Sequence, residues 1–372
     1  MSVYSKNYNK MSRSQVTVLK TSPETVIEDY KRLLHTAKYQ KYIPKEYNTA
    51  LKINISWHHF YPACSTTPWQ IEGVIKTMLE DEYPREKIYG CHNRTVVVSA
   101  KKGEINNKHK KVLEKYNVQN IHLYEMEEWV NYEPKGKILV LDKIFPKGIK
   151  IPKRLIGNNI IHLPTMKNHV FTTITGAMKN AFGGLLHDKR HWTHSVIHET
   201  LVDLLTIQKE IHSGIFAVTD GTFAGDGPGP RCMEPHIKNF ILASNDQVAI
   251  DSISAKMMGF EPMSIKFIRL AHEEGLGIGN PEEIDIIGED ISNVKFNFKC
   301  DYKTNTFASW GQKMIYWGAL KPLEKILLRT FITPWSYLAS IAYHDWYWYP
   351  FIGKKRVKEI INSDWGRLWQ KY

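Results

Sequence analysis

The run Thr175-Gly176-Ala177-Met178-Lys179-Asn180-Ala181-Phe182-Gly183-Gly184 leads directly into four histidines, His187, His191, His194 and His198. A helix over residues 188–208 would hold these imidazoles near one face, because steps of three and four residues return to the same side of an α-helix. Clustered imidazoles beside a glycine-flanked lysine suit a site that neutralises negative charge and either moves protons or holds a metal. Lys179 and Asn180 are the candidate ligand contacts, with Gly183 and Gly184 letting backbone approach the bound group. His191 and His194 are the candidate proton carriers, and His194 with His198 the candidate ligands of a divalent metal. Partly buried histidines satisfied by hydrogen bonds are the bland alternative.

Two further stretches bring compatible chemistry. Lys167 and His169 follow an apolar run that ends at Leu163, and two lysines near glycine amides would make an anion cradle. The segment 218–231, dense in Gly and Pro, carries Asp220, Asp226 and Arg231. Either aspartate could serve as base or metal ligand, or could brace the turn through backbone amides. Arg231 could bind a carboxylate or phosphate, or pair with one of these aspartates. Asp246 reads as a helix cap, and Asp251 lies inside the helix that follows it. His58, His59, Tyr61 and Cys64 form a weaker group after the first strand.

These residues need a frame to position them. Apolar runs at 51–56, 95–98, 137–141, 159–163, 214–219 and 239–243 read as strands, with helices at 23–37, 67–79 and 247–258. Strands alternating with helices predict an α/β fold, a mostly parallel sheet flanked by helices, with an aromatic-rich helical C-terminal segment. Ligands gather outside the carboxyl ends of such strands, which directs attention to the loops after Leu163, Thr219 and Ala243. The chain divides into a basic lead-in (1–50), an α/β domain (51–300) and a basic segment rich in Trp and Tyr (301–372).

The formal charge of +12 over 372 residues favours a small anionic ligand or an anionic membrane surface as partner. Seven of the eleven tryptophans, from Trp310 to Trp369, fall in the last segment. They suit a lipid interface, or packing on the main domain or on a second copy in a homo-oligomer. No recognised nucleic-acid module or basic–aromatic interleaving appears, so nucleic acid is disfavoured. Cys64, Cys91, Cys232 and Cys300 form no CxxC pair, which signals neither a disulfide framework nor an iron–sulfur cluster. Lys6, Lys10 and Arg13 precede no apolar stretch, so the expected location is cytoplasmic, with peripheral membrane contact as an extension.

From residue 51 to 288 the chain resembles the microbial domain-of-unknown-function family 362. The resemblance rests on Thr66-Thr67-Pro68, on 163–169 and 175–183, on Asp220-Gly221 with Gly227-Pro228, and on 243–251. It implies an α/β domain of mostly unassigned activity. Some relatives add a ferredoxin-like segment whose cysteines this chain lacks, and Ile53 falls where the family usually shows Lys-Pro-Asn. The lysine-and-glycine loop followed by histidines is also similar in arrangement to lactate-racemase-type enzymes, which use a nickel-bearing nucleotide cofactor. The expectation drawn from all of this is an enzyme acting on a small anionic or phosphorylated substrate, possessing a Lys/His/Asp site with metal or nucleotide assistance. The alternative is a non-catalytic membrane-associated or scaffold protein.

Overall fold

The computed structural model describes residues 13–126, 128–300 and 305–372; Lys6 and Lys10 lie outside them. The first part of the chain alternates β1 (Ser14–Lys20), α1 (Val26–Thr36), β2 (Thr49–Ile53), α2 (Pro68–Glu80) and β3 (Ile88–His92). The helices α3 (Ala100–Asn106) and α4 (His109–Lys115) then cross over to β4 (Gln119–His122). One helical turn, α5 (Leu123–Met126), leads to a small separate sheet of β5 (Trp129–Tyr132) and β6 (Ile149–Pro152), with α6 (Leu141–Ile144) between them. The chain re-enters the main sheet as β7 (Asn159–Leu163), β8 (Thr165–His169) and the two-residue β9 (Thr173–Ile174), then forms α7 (Gly176–Leu185) and α8 (Ile197–Ile211). A long hairpin of β10 (Gly214–Asp226) and β11 (Glu234–Ser244) precedes α9 (Gln247–Met258), α10 (Lys266–Glu273) and β12 (Ile284–Gly288).

The sheet runs β12-β1-β11-β10-β7-β2-β3-β4, with β8 attached to β10. From β10 to β4 all neighbours are parallel. Both faces are covered, so the strands bury alternate residues in opposite directions. Leu51, Ile161, Phe216 and Val218 pack beneath α1, α2 and α4. Ala50, Ile160 and Ala217 point the other way, into the core with α7, α8, α9 and α10. Residues 14–36, expected as a lead-in, supply β1 and α1 of this domain.

The last segment folds as α11 (Phe307–Tyr316), α12 (Glu324–Arg329), α13 (Thr333–Ile341), a π-helical stretch (Ala342–Gly353), α14 (Lys354–Ile361) and α15 (Asp364–Lys371). Its aromatics divide between two roles. Trp365 lies 5.0 Å from Trp69 of α2, and Trp348 is buried against Trp57 and Tyr61. Phe331 is 91% exposed, Phe307 78% and Trp335 69%.

Candidate functional site

Alternation along β2 decides where the site lies. Lys52 shares the face of Ala50, so its side chain runs toward α7, and it is 3% exposed. Its ammonium donates to the Ile53 carbonyl at 2.6 Å. Gly184 makes the room: a Cβ there would sit 2.6 Å from Lys52 Cε. Asn180 donates from Nδ2 to the Lys52 carbonyl at 2.8 Å and ties α7 to the strand end. Gly184 therefore accommodates a lysine stem, in place of the expected close approach to a ligand, while Gly183 lines the cavity that the lysine faces.

A cavity of about 510 Å³ opens here, at the carboxyl ends of β2, β3 and β8, where a parallel sheet is expected to bind ligands. Lys52, Lys179, Arg190, Arg231, His169 and His194 line it. Phe171, Ile315, Tyr316, Leu328 and Tyr343 line it as well, with α11 and α13 closing it over. Among the described residues of its lining there is no carboxylate. The lining thus combines cationic and apolar side chains, and the Phe171 and Tyr316 rings lie against His194.

Burial and like charge set the protonation states. Burial, then the nearby Lys167 and Arg190, pull Lys179 down to about 7. Burial also lowers Lys52 to about 8 and Lys167 to about 8. His169 falls well below the ordinary imidazole value through burial and the charge of Lys179, and His194 falls to about 3 for the same two reasons. Arg231 donates to Ser340 Oγ at 3.1 Å, while its Nη1 is buried without a hydrogen-bond partner among the described residues.

The structure brings Lys167, His169, Lys179, His191, His194 and Arg231 into one region and leaves other expected members outside. Lys167 lies behind the cavity wall, where it donates to Ser56 Oγ and to the Cys64 carbonyl. Residues 188–196 form a 3₁₀-helix, with the α-helix beginning only at Ile197. In a 3₁₀-helix residues three apart eclipse, so His191 and His194 stay together while His187 and His198 diverge. His194 Nδ1 is bonded to the His191 carbonyl at 2.9 Å, and the His198 ring stacks on Phe267. His194 and His198 thus do not converge as a metal-ligand pair.

Asp220 is not a member of the cavity. The strand expected to end at Thr219 continues to Asp226, so Asp220 falls on the face of Phe216 and Val218, opposite Lys52. Its carboxylate accepts from Tyr30 Oη (2.7 Å), Thr67 Oγ1 (2.8 Å) and Trp69 Nε1 (3.0 Å), and from the amide and hydroxyl of Thr222 (2.9 and 2.7 Å). Asp226 tethers Asn168 Nδ2 and the Lys299 amide, outside the lining. The α7 amides that a cradle would use are also occupied. Asp251 accepts from Ala177 N and Met178 N, and Gly176, at φ +68°, leaves room for its carboxylate. Burial raises Asp251 to about 7. Asp246 caps α9, accepting from Val248 N and Ala249 N.

Lys52 and the C-terminal lining residues Tyr316 and Tyr337 were absent from the sequence-derived site. Lys52 could have been found, since a lysine inside the apolar run Thr49–Ile53 is costly to bury without a purpose. The tyrosines gave no such signal. Against this geometry, a family profile described as "Domain of unknown function (DUF362)" matches residues 49–256. The chain belongs to the DUF362 family. The DUF362 match runs from β2 into α9 and so includes the cationic lining residues and Phe171, but not the C-terminal helices that supply Ile315, Tyr316, Leu328 and Tyr343. A thylakoid-associated protein of Synechocystis sp. is 26% identical over 130 residues, which are 34% of this chain and 40% of that relative. No solved structure matches the chain.

Proposed function

We propose that the protein binds a small anionic molecule with an apolar body in this cavity, and that Lys179 holds its negative charge. The observation that carries the reading is the cationic wall of Lys52, Lys179 and Arg231, with no carboxylate among the described lining residues to neutralise it. A phosphate, sulfonate or carboxylate head would accept from the lysines and from the unpartnered Arg231 nitrogen. The apolar body would lie against Tyr316, Leu328 and Tyr343. His169 and His194, held neutral by burial, can donate or accept single hydrogen bonds without adding charge.

Each charge-assisted hydrogen bond is worth about 1.5–3 kcal/mol, so removing Lys179 should weaken an anion roughly ten- to hundredfold. Calorimetric titration with octyl sulfonate tests this on the full chain. Lys179→Met is expected to lose that factor with a thermal midpoint no lower than that of wild type; equal affinity in the two proteins would contradict the reading.

A second reading, contact with an anionic membrane surface, is favoured by the outer face of the C-terminal helices. Phe331, Trp335 and Trp346 are exposed there, and Lys325, Lys354 and Lys355 belong to the same segment. The name of the Synechocystis relative points the same way. No helix among the described residues is long and apolar enough to cross a membrane, so such contact would be peripheral.

A further inference from the structure

The most convergent cluster outside the cationic wall is His92 at the end of β3, Glu104 in α3 and His122 at the end of β4. His92 and His122 are direct partners in the parallel register of β3 and β4, and α3 in the crossover between them delivers the carboxylate. His92 Nε2 and His122 Nε2 lie 3.0 and 2.9 Å from the same oxygen, Glu104 Oε2. The side chains of His92 and Glu104 are 1% and 7% exposed. Asn120 Nδ2 donates to that oxygen too, at 2.6 Å.

We propose that His92, Glu104 and His122 bind a divalent first-row transition-metal ion, of the zinc, iron(II) or cobalt(II) class, at the edge of the cavity. Ligand atoms about 2.1 Å from such an ion and near right angles to each other lie about 3.0 Å apart, close to the separations seen. Two imidazoles and one carboxylate suit these ions, and they leave coordination positions open. His92 also lines the cavity, which gives those positions a route to a bound molecule.

The crowding around Glu104 supports the ion. Three nitrogens, the Asn120 amide donor and two imidazole Nε2 atoms, crowd one carboxylate oxygen, which has two lone pairs. His122 Nδ1 faces a second acceptor, Glu125 Oε2, at 3.4 Å. With an ion bound, Nε2 turns its lone pair to the metal and Nδ1–H points to Glu125, the carboxylate–histidine–metal arrangement that orients ligating rings. Asn120 then remains as the donor that fixes Glu104. The competing arrangement is a purely hydrogen-bonded network of His92, Glu104, Asn120 and His122 with no ion.

Cobalt(II) titration of the chelator-treated full chain, with no anionic ligand present, separates the two. The protein is expected to take up one ion per chain with visible d–d absorption. Glu104→Gln and His122→Asn are each expected to weaken uptake at least about tenfold, with circular dichroism confirming the fold; should one variant fail to fold, the other carries the comparison. Asp345→Asn, which alters the separate cluster of His58, His59 and Asp345, is expected to leave uptake unchanged. Failure of the wild type to take up stoichiometric cobalt, uptake unchanged in folded Glu104→Gln or His122→Asn, or loss in Asp345→Asn alone would overturn the assignment. None of these outcomes bears on anion binding in the cavity.

Discussion

Replacing Asp220 with alanine separates a structural carboxylate from a catalytic one. Five hydrogen bonds from four residues end on it, linking α1, α2 and β10 in the fully buried layer beneath the sheet. After truncation, Trp69 Nε1 and the Thr222 hydroxyl still have each other at 3.2 Å. Tyr30 Oη, Thr67 Oγ1 and the Thr222 amide are left without that acceptor. A stranded buried donor costs about 1–3 kcal/mol, and relief of the carboxylate's own desolvation returns part of the total. A net loss of roughly 3–5 kcal/mol follows from those two terms. Urea unfolding followed by tryptophan fluorescence and circular dichroism measures it, and octyl sulfonate affinity measured below the transition should not change. A variant within about 1 kcal/mol of wild type, or one that keeps its stability and loses the ligand, would refute this placement and return Asp220 to the site.

Gly184→Ala should act through Lys52. The new Cβ would stand 2.6 Å from Lys52 Cε and 3.0 Å from Cδ, so the flexible stem must move. Alanine is favoured over glycine in a helix by about 1 kcal/mol, which offsets the crowding; a thermal midpoint near that of wild type is expected together with a severalfold loss of octyl sulfonate affinity, and unchanged affinity would show that Lys52 does not face the ligand. On the outer face, Phe331→Ser with Trp335→Ser should reduce sedimentation with vesicles containing anionic phospholipid and leave octyl sulfonate binding intact. Equal pelleting of variant and wild type would remove this patch from any membrane role.

Where a signal was local, the sequence revealed the element. Residues 159–163 form β7 with the expected bounds, Pro68 opens α2, and Asp246 caps α9. The run at 137–141 was misread for a long-range reason: Asp203 in α8 accepts from the amides of Leu139, Val140 and Leu141, so the segment needs no strand partner. Residues 95–98 keep only an isolated bridge, and the strand lies earlier, at Ile88–His92. The loop after Ala243 holds none of the cavity lining because β11 runs antiparallel to β10 and ends at the other edge. Lys179 and His194 were legible as neighbours because they lie close along the chain. Asp220 was misplaced because extending β10 by a few residues converts a loop position into a strand face, and period-2 alternation then decides its side. His92, Glu104 and His122 meet through the β3–β4 register, which no short motif encodes.

The claim on which this account rests is that Lys179 holds a ligand's negative charge with an ammonium displaced to about 7 by burial and by Lys167 and Arg190. A lysine lowered in this way carries its proton only below that value, so anion affinity should be full under pH 7 and fall as the pH rises through it. In the free protein the sign reverses: stability rises from about 7 toward the ordinary lysine range, where the unfolded chain still binds the proton that Lys179 has released. The most direct measurement is octyl sulfonate affinity from pH 5.5 to 9, because the sulfonate itself does not titrate there. The expected result is a fall of up to about tenfold per pH unit beginning near 7 in the wild type, with that first step absent in Lys179→Met. A profile flat to pH 9 in the wild type, or the same step in both proteins, would contradict it.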